Sequence, residues 1–170
     1  MRTETAPRRI SSGYYSGILR LAKITLLIVS PFLIGVTAGG YLFSESQPRS
    51  ILTLNRCNST CLEPNELMGL IASVGLQKFP NAVPLVVLET DKTIVIKHPV
   101  PEERIHYVII PKKDIKNIGE ISPTDEQYLM DIFSVVQELV KEEKLSDYEL
   151  ITNGPGKQAV TYLHFHLIAK

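Results

Sequence analysis

The hydrophobic pattern separates one long apolar run near the amino terminus from a series of short periodic segments. The run Ile24–Phe43 carries no charged residue, and a helix of about 20 apolar residues is long enough to cross a bilayer. A buried core helix is the alternative. The basic residues that precede the run favour a membrane span, and they are Arg2, Arg8, Arg9, Arg20 and Lys23.

The charge asymmetry around this run predicts how it is oriented. Basic residues remain on the cytoplasmic side of a membrane helix, so residues 1–23 are predicted to be a cytoplasmic tail and residues 24–43 a transmembrane anchor. The small residues of Val36-Thr37-Ala38 also fit a signal cleavage site, which would give a secreted protein. Both alternatives place the main domain outside the cytoplasm.

Residues 44–64 are polar and contain Pro48 and Pro64, which predicts a linker. The main domain is predicted at residues 65–170. It opens with apolar residues at helical spacing, which indicate a short helix that Gly75 would end. These residues are Leu67, Leu70, Ile71 and Val74.

The rest of the domain combines five strand patterns with one long helix. A cap at Ser122 and Pro123 begins a helical repeat that runs to about Lys144. Strands in hairpin-like order around a single helix predict an α+β domain with an antiparallel sheet. The strands are predicted at Leu85–Thr90, Thr93–Lys97, Ile105–Ile110, Tyr148–Thr152 and Ala159–Ala169.

Composition narrows the possible partners. The 18 lysines and arginines balance the 18 aspartates and glutamates, and no basic block alternates with aromatic residues. A nucleic-acid partner is therefore not expected. Cys57 and Cys61 form half of a zinc ligand set at most. In an exported protein they are expected to form a disulfide that closes a small loop.

The last predicted strand carries the residues best suited to chemistry. Strand alternation separates one polar face from one apolar face, and two imidazoles would then lie about 7 Å apart. The polar face carries Tyr162, His164 and His166, and the apolar face carries Leu163, Phe165 and Leu167.

Two adjacent imidazoles suit phosphate chemistry. A neutral imidazole is a nucleophile or base near pH 7, and a protonated neighbour can hold a phosphate oxygen. The turn from Asn153 to Gln158 contains two glycines and could bring backbone amides to an anion. A metal pair, or polar residues on a solvent face, would give the same His-x-His pattern.

Two blocks of sequence resemble the histidine-triad (HIT) superfamily. Gln158-Ala159-Val160-Thr161 leads into the alternating histidines, and Glu103–Ile115 resembles the block in which a histidine precedes an apolar strand ending Ile-Pro-Lys. Leu88–Asp91 through His98-Pro99 resembles the strand pair before it. The similarity covers about residues 57–170 and implies a HIT-like antiparallel sheet with one long helix and a short amino-terminal helix, preceded here by the single transmembrane helix.

The resemblance implies a role for each matching position. His164 matches the nucleophile, His166 the last triad histidine and His106 a further histidine from the neighbouring strand. Asn153 and Gln158 match amides that bind the phosphate and the leaving group. Tyr162 replaces the first triad histidine and is expected to contact substrate. Neither a metal nor a cofactor is expected in the reaction.

Other positions depart from the family pattern. Ala159 replaces a serine that lies beside the leaving group in many members. His98 stands where an acidic residue usually binds the ribose. Followed by Pro99, it is interpreted as an ordinary exposed residue.

The predicted function is a membrane-tethered nucleotide hydrolase or nucleotidyl transferase. It would cleave a phosphate ester, anhydride or phosphoramidate through a nucleotidyl-histidine intermediate. The alternatives are a catalytically impaired nucleotide-binding domain and a pyrophosphatase for a lipid-linked nucleotide of the CDP-diacylglycerol type. Expected partners are a nucleotide and, through the amino-terminal helix, a membrane. A homodimer is common in the family.

Overall fold

The computed structural model describes residues 12–54 and 61–170. It divides the chain into two compact units, Met1–Ser44 and Glu45–Lys170. The first unit contains helix α1, Ser12–Phe43, which begins before the predicted anchor. Its part Lys23–Phe43 has a mean hydropathy of 1.9 and, by length and composition alone, could cross a membrane. The first 11 residues of the predicted cytoplasmic tail lie outside the described part of the chain.

The segment predicted as a linker packs against the second unit. The backbone N–H of Gln47 donates to Asp114 Oδ2 at 2.9 Å. The guanidinium of Arg49 donates to Asp114 Oδ1 and to the carbonyl of Thr161, each at 2.5 Å. The Arg49 side chain is 1% exposed, and a buried carboxylate such as Asp114 requires this kind of partner. The predicted linker therefore contributes Gln47 and Arg49 to the packing of the second unit.

The cysteine prediction is confirmed in part. Cys61 is disulfide-bonded, while Cys57 lies outside the described residues. Cys61 directly precedes Leu62, which pairs with Leu52 in an antiparallel bridge, and its carbonyl accepts from the N–H of Thr53 at 2.9 Å.

Helix α2 spans Pro64–Lys78 and continues past its predicted end. A glycine ends a helix by adopting a positive φ, and none of the described glycines does so. Gly75 stays helical and its carbonyl accepts from the N–H of Phe79 at 3.0 Å. The predicted end at Gly75 is therefore wrong by three residues.

The five strands form one antiparallel sheet in the order β1-β2-β3-β5-β4. This confirms the predicted α+β class and sheet. The strands are β1 Val86–Glu89, β2 Thr93–Lys97, β3 Ile105–Pro111, β4 Tyr148–Ile151 and β5 Phe165–Ala169.

The last strand is shorter than predicted. Residues 159–164 are irregular rather than β-structure, because their backbone groups bond outside the sheet. The N–H of Thr161 donates to the Asn65 carbonyl at 3.1 Å, and that of Leu163 donates to the Ile115 carbonyl at 2.6 Å. This leaves His164 just before β5 and His166 within it.

The predicted long helix is confirmed, together with its cap. Ser122 and Asp125 form a reciprocal capping box around a short 3₁₀ turn, and helix α3 then spans Glu126–Glu142. The capping box satisfies backbone N–H groups that the first turn leaves without partners.

The two helices of the second unit pack on opposite faces of the sheet. On β2, Val95 faces α3, while Ile94 belongs to a second cluster with Leu76 of α2. Burial of each such side chain contributes about 1.5–3 kcal/mol. The larger cluster comprises Val95, Ile109, Ile115, Ile132, Val135, Val136, Leu139, Leu163, Phe165 and Leu167.

We expect Gly69→Ala to destabilise the domain. An added Cβ would meet the Thr161 carbonyl and the Arg49 guanidinium, and overpacking of this kind costs about 1–3 kcal/mol. Gly75→Ala is the matched control on the same helix. Its Cβ meets nothing within 4 Å, and it should stabilise by about 0.5–1 kcal/mol. Urea denaturation of the full chain measures both. Equal midpoints for the two variants would contradict the close packing around Arg49.

Candidate active site

The pairing of β3 with β5 brings two distant histidines into contact. Val108 lies opposite His166, and His106 lies opposite Ile168, so both imidazoles project from the face that α2 covers. His106 Nε2 and His166 Nδ1 are 2.9 Å apart. The structure therefore joins two of the three predicted catalytic residues by a hydrogen bond.

The third, His164, lies beside them. Its ring meets that of His166 edge-on, with 5.0 Å between ring centroids. This is closer than the 7 Å predicted from an extended strand, because residue 164 precedes β5. The backbone is held by Thr152, whose hydroxyl donates to the His164 carbonyl at 2.8 Å.

The partners of the ring nitrogens define where each hydrogen lies. A carbonyl only accepts, so His164 Nδ1, at 2.7 Å from the Tyr162 carbonyl, carries a hydrogen. The neutral ring then keeps a lone pair on Nε2. A backbone N–H only donates, so His106 Nδ1, at 3.2 Å from the Glu102 N–H, is an acceptor. Its Nε2–H then donates to His166 Nδ1, which leaves the hydrogen of His166 on Nε2.

Burial favours the neutral form of two of these rings. Burial, followed by the neighbouring imidazoles of His164, His106 and His98, lowers the pKa of His166 to about 4. Burial also lowers the pKa of His106, His98 lowers it further, and Glu102 opposes the shift. At neutral pH His166 therefore offers an N–H to a ligand rather than the positive charge predicted from the sequence.

His164 and His166 line a cavity of about 370 Å³. Its other polar lining residues include Asn153 and Lys157. The remainder is mostly apolar and includes Leu76 of α2. The other lining residues are Ala72, Ile96, His98, Pro99, Val108, Ile110, Ala159, Val160 and Tyr162. An anionic group and an attached apolar or aromatic group can therefore be bound side by side.

Gln158 does not occupy its predicted position. Its side chain is buried and donates to the Lys116 carbonyl at 3.1 Å and to the Tyr162 carbonyl at 3.4 Å. It does not line the cavity. Gln158 holds the segment before β5 in place, and its predicted contact with substrate stays a prediction. Asn153 does line the cavity, as its predicted role requires.

The hydroxyl of Tyr162 is bonded to the protein backbone. The residue is 2% exposed, and its hydroxyl lies 3.0 Å from the Pro111 carbonyl and 3.2 Å from the Lys112 carbonyl. Its ring forms part of the cavity wall, while its hydroxyl is engaged by the backbone. The predicted contact of Tyr162 with substrate stays a prediction, and its carbonyl holds His164.

His98 is not the exposed residue that the sequence suggested. It is half-buried and its ring stacks on that of His106, with 4.0 Å between centroids and 5° between planes. His98, His106 and His166 each place a ring nitrogen within 4.8 Å of the others. A metal needs in-plane lone pairs that converge, and the parallel rings of His98 and His106 do not provide them. His98 and His106 instead form a stacked pair, and His106 and His166 form a hydrogen-bonded pair.

Comparison with known proteins identifies the family. The family described as "Scavenger mRNA decapping enzyme C-term binding" matches residues 77–170, more than half of the chain. A HIT-like protein of Chlamydia pneumoniae is 41% identical over 86 residues, which cover 48% of this chain and 77% of that relative. The chain belongs to the HIT superfamily.

Solved structures agree with this assignment. A HIT family hydrolase from Clostridium thermocellum has a TM-score of 0.52 and 30% identity, covering 57% of this chain and 89% of its own. One from Legionella pneumophila has a TM-score of 0.51 and 29% identity, covering 55% and 88%. Aprataxin of Ciona intestinalis is 30% identical over 132 residues, but the matching region spans only 34% of aprataxin.

Sequence reasoning assigned no role to one residue of this HIT site and the wrong environment to another. Lys157 lines the cavity, and its place directly after the two glycines of the predicted anion-binding turn was a usable signal. His98 was recognised, but its burial depends on the loop between β2 and β3, which no local pattern specifies.

The lowered pKa of His166 predicts a pH-dependent stability of the HIT domain. The pKa of His166 is about 6.5 in the unfolded chain and about 4 in the folded chain. Between these pH values the unfolded chain therefore binds more protons than the folded chain. The free energy of unfolding should therefore fall as the pH decreases from about 6.5 towards 4, and His106 adds in the same direction.

Denaturant unfolding at pH 7.5, 6.5, 5.5 and 5.0 measures this slope. We expect His166→Asn to flatten it between pH 6.5 and 5.0, where carboxylates contribute least. A slope unchanged in His166→Asn would show that this imidazole titrates normally.

Proposed function

We propose that this HIT domain is a nucleotide hydrolase or nucleotidyl transferase that uses His164 as its nucleophile. The observation that carries the proposal is that His164 and His166 adopt different tautomers, with the hydrogen on Nδ1 of His164 and on Nε2 of His166. His164 presents a lone pair on Nε2 because its Nδ1–H is bonded to the Tyr162 carbonyl. Beside it, His166 presents an N–H because its Nδ1 accepts from His106. Similarity to HIT family hydrolases supports the same assignment.

These groups suit the two steps of nucleotidyl transfer. His164 Nε2 attacks the α-phosphorus, a P–N bond forms, and the bond to the leaving group breaks with its electron pair. The positive charge that develops on His164 is stabilised by the Tyr162 carbonyl, and His166 donates to a phosphoryl oxygen. Water or another hydroxyl acceptor then attacks phosphorus and loses its proton to the departed leaving group or to solvent, while the P–N electron pair returns to Nε2.

The cavity supports a substrate with an apolar or aromatic group next to its phosphate. Lys157 and Asn153 are among its polar lining residues, and Leu76, Ile96 and Ile110 are among its apolar ones. A nucleotide, with a phosphate and a nucleobase, fits this mixed lining. The acyl portion of a lipid-linked nucleotide is the second possibility, because Lys157 is the one lysine, arginine, aspartate or glutamate among the described lining residues.

We expect a labelled substrate to leave nucleotide on His164. The full chain is mixed with an adenosine phosphoramidate, a dinucleoside polyphosphate or CDP-diacylglycerol, each labelled in the nucleotide, and is denatured without acid after milliseconds to seconds. His164→Ala should retain no label. His166→Asn should slow labelling by about 10²–10³-fold, the usual effect of losing one donor to developing charge. Gly75→Ala, at a position that does not line the cavity, controls for handling.

Two outcomes would overturn this mechanism. Label that persists in His164→Ala would place the nucleophile elsewhere. Nucleotide binding by calorimetry, with no label from any of the three substrates, would favour a binding domain that has lost turnover.

We further propose that the chain is anchored in a membrane by α1, with its HIT domain outside the cytoplasm. The support is the apolar Lys23–Phe43 and the basic residues before it. We expect the full chain to remain in the pellet after alkaline extraction of membranes. Leu27→Lys with Ile34→Lys should release it, since each charge at the centre of a span costs about 2.5–3.5 kcal/mol.

The orientation is tested on the same material. Protease added to the periplasmic or extracellular side should digest the HIT domain and spare the amino terminus. A shorter protein in the soluble fraction would instead support cleavage of the segment as a signal peptide, and digestion from the cytoplasmic side would contradict the proposed orientation.

A further inference from the structure

The cluster at the site contains every histidine of the chain. The sequence has four histidines, and the proposed chemistry uses His164, His166 and His106. His98 is left without a role, although its ring centroid is 5.8 Å from that of His166 and 4.0 Å from that of His106. An ordinary surface histidine would not lie within this cluster.

His98 covers one face of the His106 ring. The planes of the two rings differ by 5°, so they lie flat against each other. His106 is 2% exposed, while His98 is half-buried and forms part of the cavity wall. The outer ring therefore separates the inner ring from solvent and restricts its rotation.

The loop between β2 and β3 fixes the outer ring. Its backbone is closed by the N–H of His98, which donates to the His106 carbonyl at 2.8 Å. His98 Nδ1 lies 2.5 Å from the Val100 carbonyl and 3.2 Å from the Val100 N–H. One nitrogen cannot donate and accept at once, and the shorter contact assigns it a hydrogen that it donates to the carbonyl. Pro99 further limits the backbone at this point.

The same loop fixes the inner ring. The N–H of Glu102 donates to His106 Nδ1. The hydrogen of the neutral His106 ring therefore lies on Nε2, which donates it to His166. Val100 and Glu102 thus act on the two stacked rings through neighbouring peptide groups. The orientation of His166, which is proposed to hold phosphate, therefore depends on His106.

The charges around His106 favour a neutral ring. His98 opposes its protonation, and Glu102 is the one group that favours it among those contributing to its pKa. The ring of His166 lies 5.2 Å from that of His106 on the other side, with His164 beyond it. Burial is the largest cause of its lowered pKa. A flat side chain without charge would therefore preserve most of the effect, whereas a small side chain would expose His106 to water.

We propose that His98 is a positioning residue, which stacks on His106 and holds it in the orientation and tautomer that direct its Nε2–H to His166. The kinetic consequences rest on the proposed nucleotidyl transfer. The structural consequences do not, since they concern the imidazoles alone.

The test compares a small, a flat and a neighbouring substitution. His98→Ser removes the stacked ring, His98→Phe keeps a flat ring that cannot titrate, and Lys97→Ser is the control at an adjacent exposed position on the opposite face of β2. His98→Asn replaces His98→Ser if the latter does not fold. Each full-length variant is labelled with ¹⁵N-histidine and carries a purification tag without histidine, so that at most four imidazole spin systems are observed.

We expect His98→Ser to raise the pKa of His106 towards its usual value, because the ring becomes more exposed to water, and to mix its tautomers. His98→Phe and Lys97→Ser should leave both properties as in the wild type. In turnover, kcat of His98→Ser should fall about tenfold at neutral pH with little change in KM, and the acid limb of its pH profile should move upward. His98→Phe should restore the wild-type profile.

Two results would overturn the proposal. Signals of His106 that do not change in His98→Ser, or in His98→Asn, would show that the stack does not position it. Equal effects of His98→Phe and His98→Ser would show that flatness is irrelevant. If no wild-type labelling or turnover is found, the proposed function fails, but the spectra still decide the role of His98.

Discussion

The register between β3 and β5 is the constraint on which the site depends. Val108 lies opposite His166, and this pairing places two imidazoles from positions 60 residues apart at hydrogen-bond distance. A shift by one residue would turn every side chain of β5 to the other face of the sheet. His166 would then enter the apolar cluster under α3, and Leu167 would take its place in the cavity. The packing of Phe165 and Leu167 against α3 therefore fixes the chemistry on the opposite face.

The sequence predicted those features that arise from local periodicity. The strands β2 and β3, the capped start of α3 and the separation of Leu163 from His164 all follow from alternation or capping residues. The resemblance to the HIT superfamily then grouped His106 with the two terminal histidines. The exact end of α2 did not follow, because Gly75 can continue a helix as readily as end it when tertiary packing holds the next turn.

What the sequence did not predict are contacts between segments that lie far apart in the chain. Gln158 was expected at the phosphate, but its amide bonds to the backbone of Lys116. Tyr162 was expected to contact substrate, but its hydroxyl reaches the end of β3. His98 was expected in solvent. Each of these side chains is of a polar type that suits a binding site. The backbone path of the irregular segments, which local sequence does not specify, determines which groups each side chain contacts.

The buried pair of Arg49 and Asp114 determines which part of the chain can fold as a unit. Asp114 directly precedes Ile115, whose carbonyl accepts a hydrogen bond from the N–H of Leu163. Arg49 also donates to the carbonyl of Thr161. A truncation at the start of α2 would leave an uncompensated carboxylate in the interior, which typically costs about 3–5 kcal/mol. The smallest self-sufficient fragment is therefore longer than residues 77–170, which the family model matches, and it includes the residues that directly follow α1. Expression of the second unit should begin no later than Glu45.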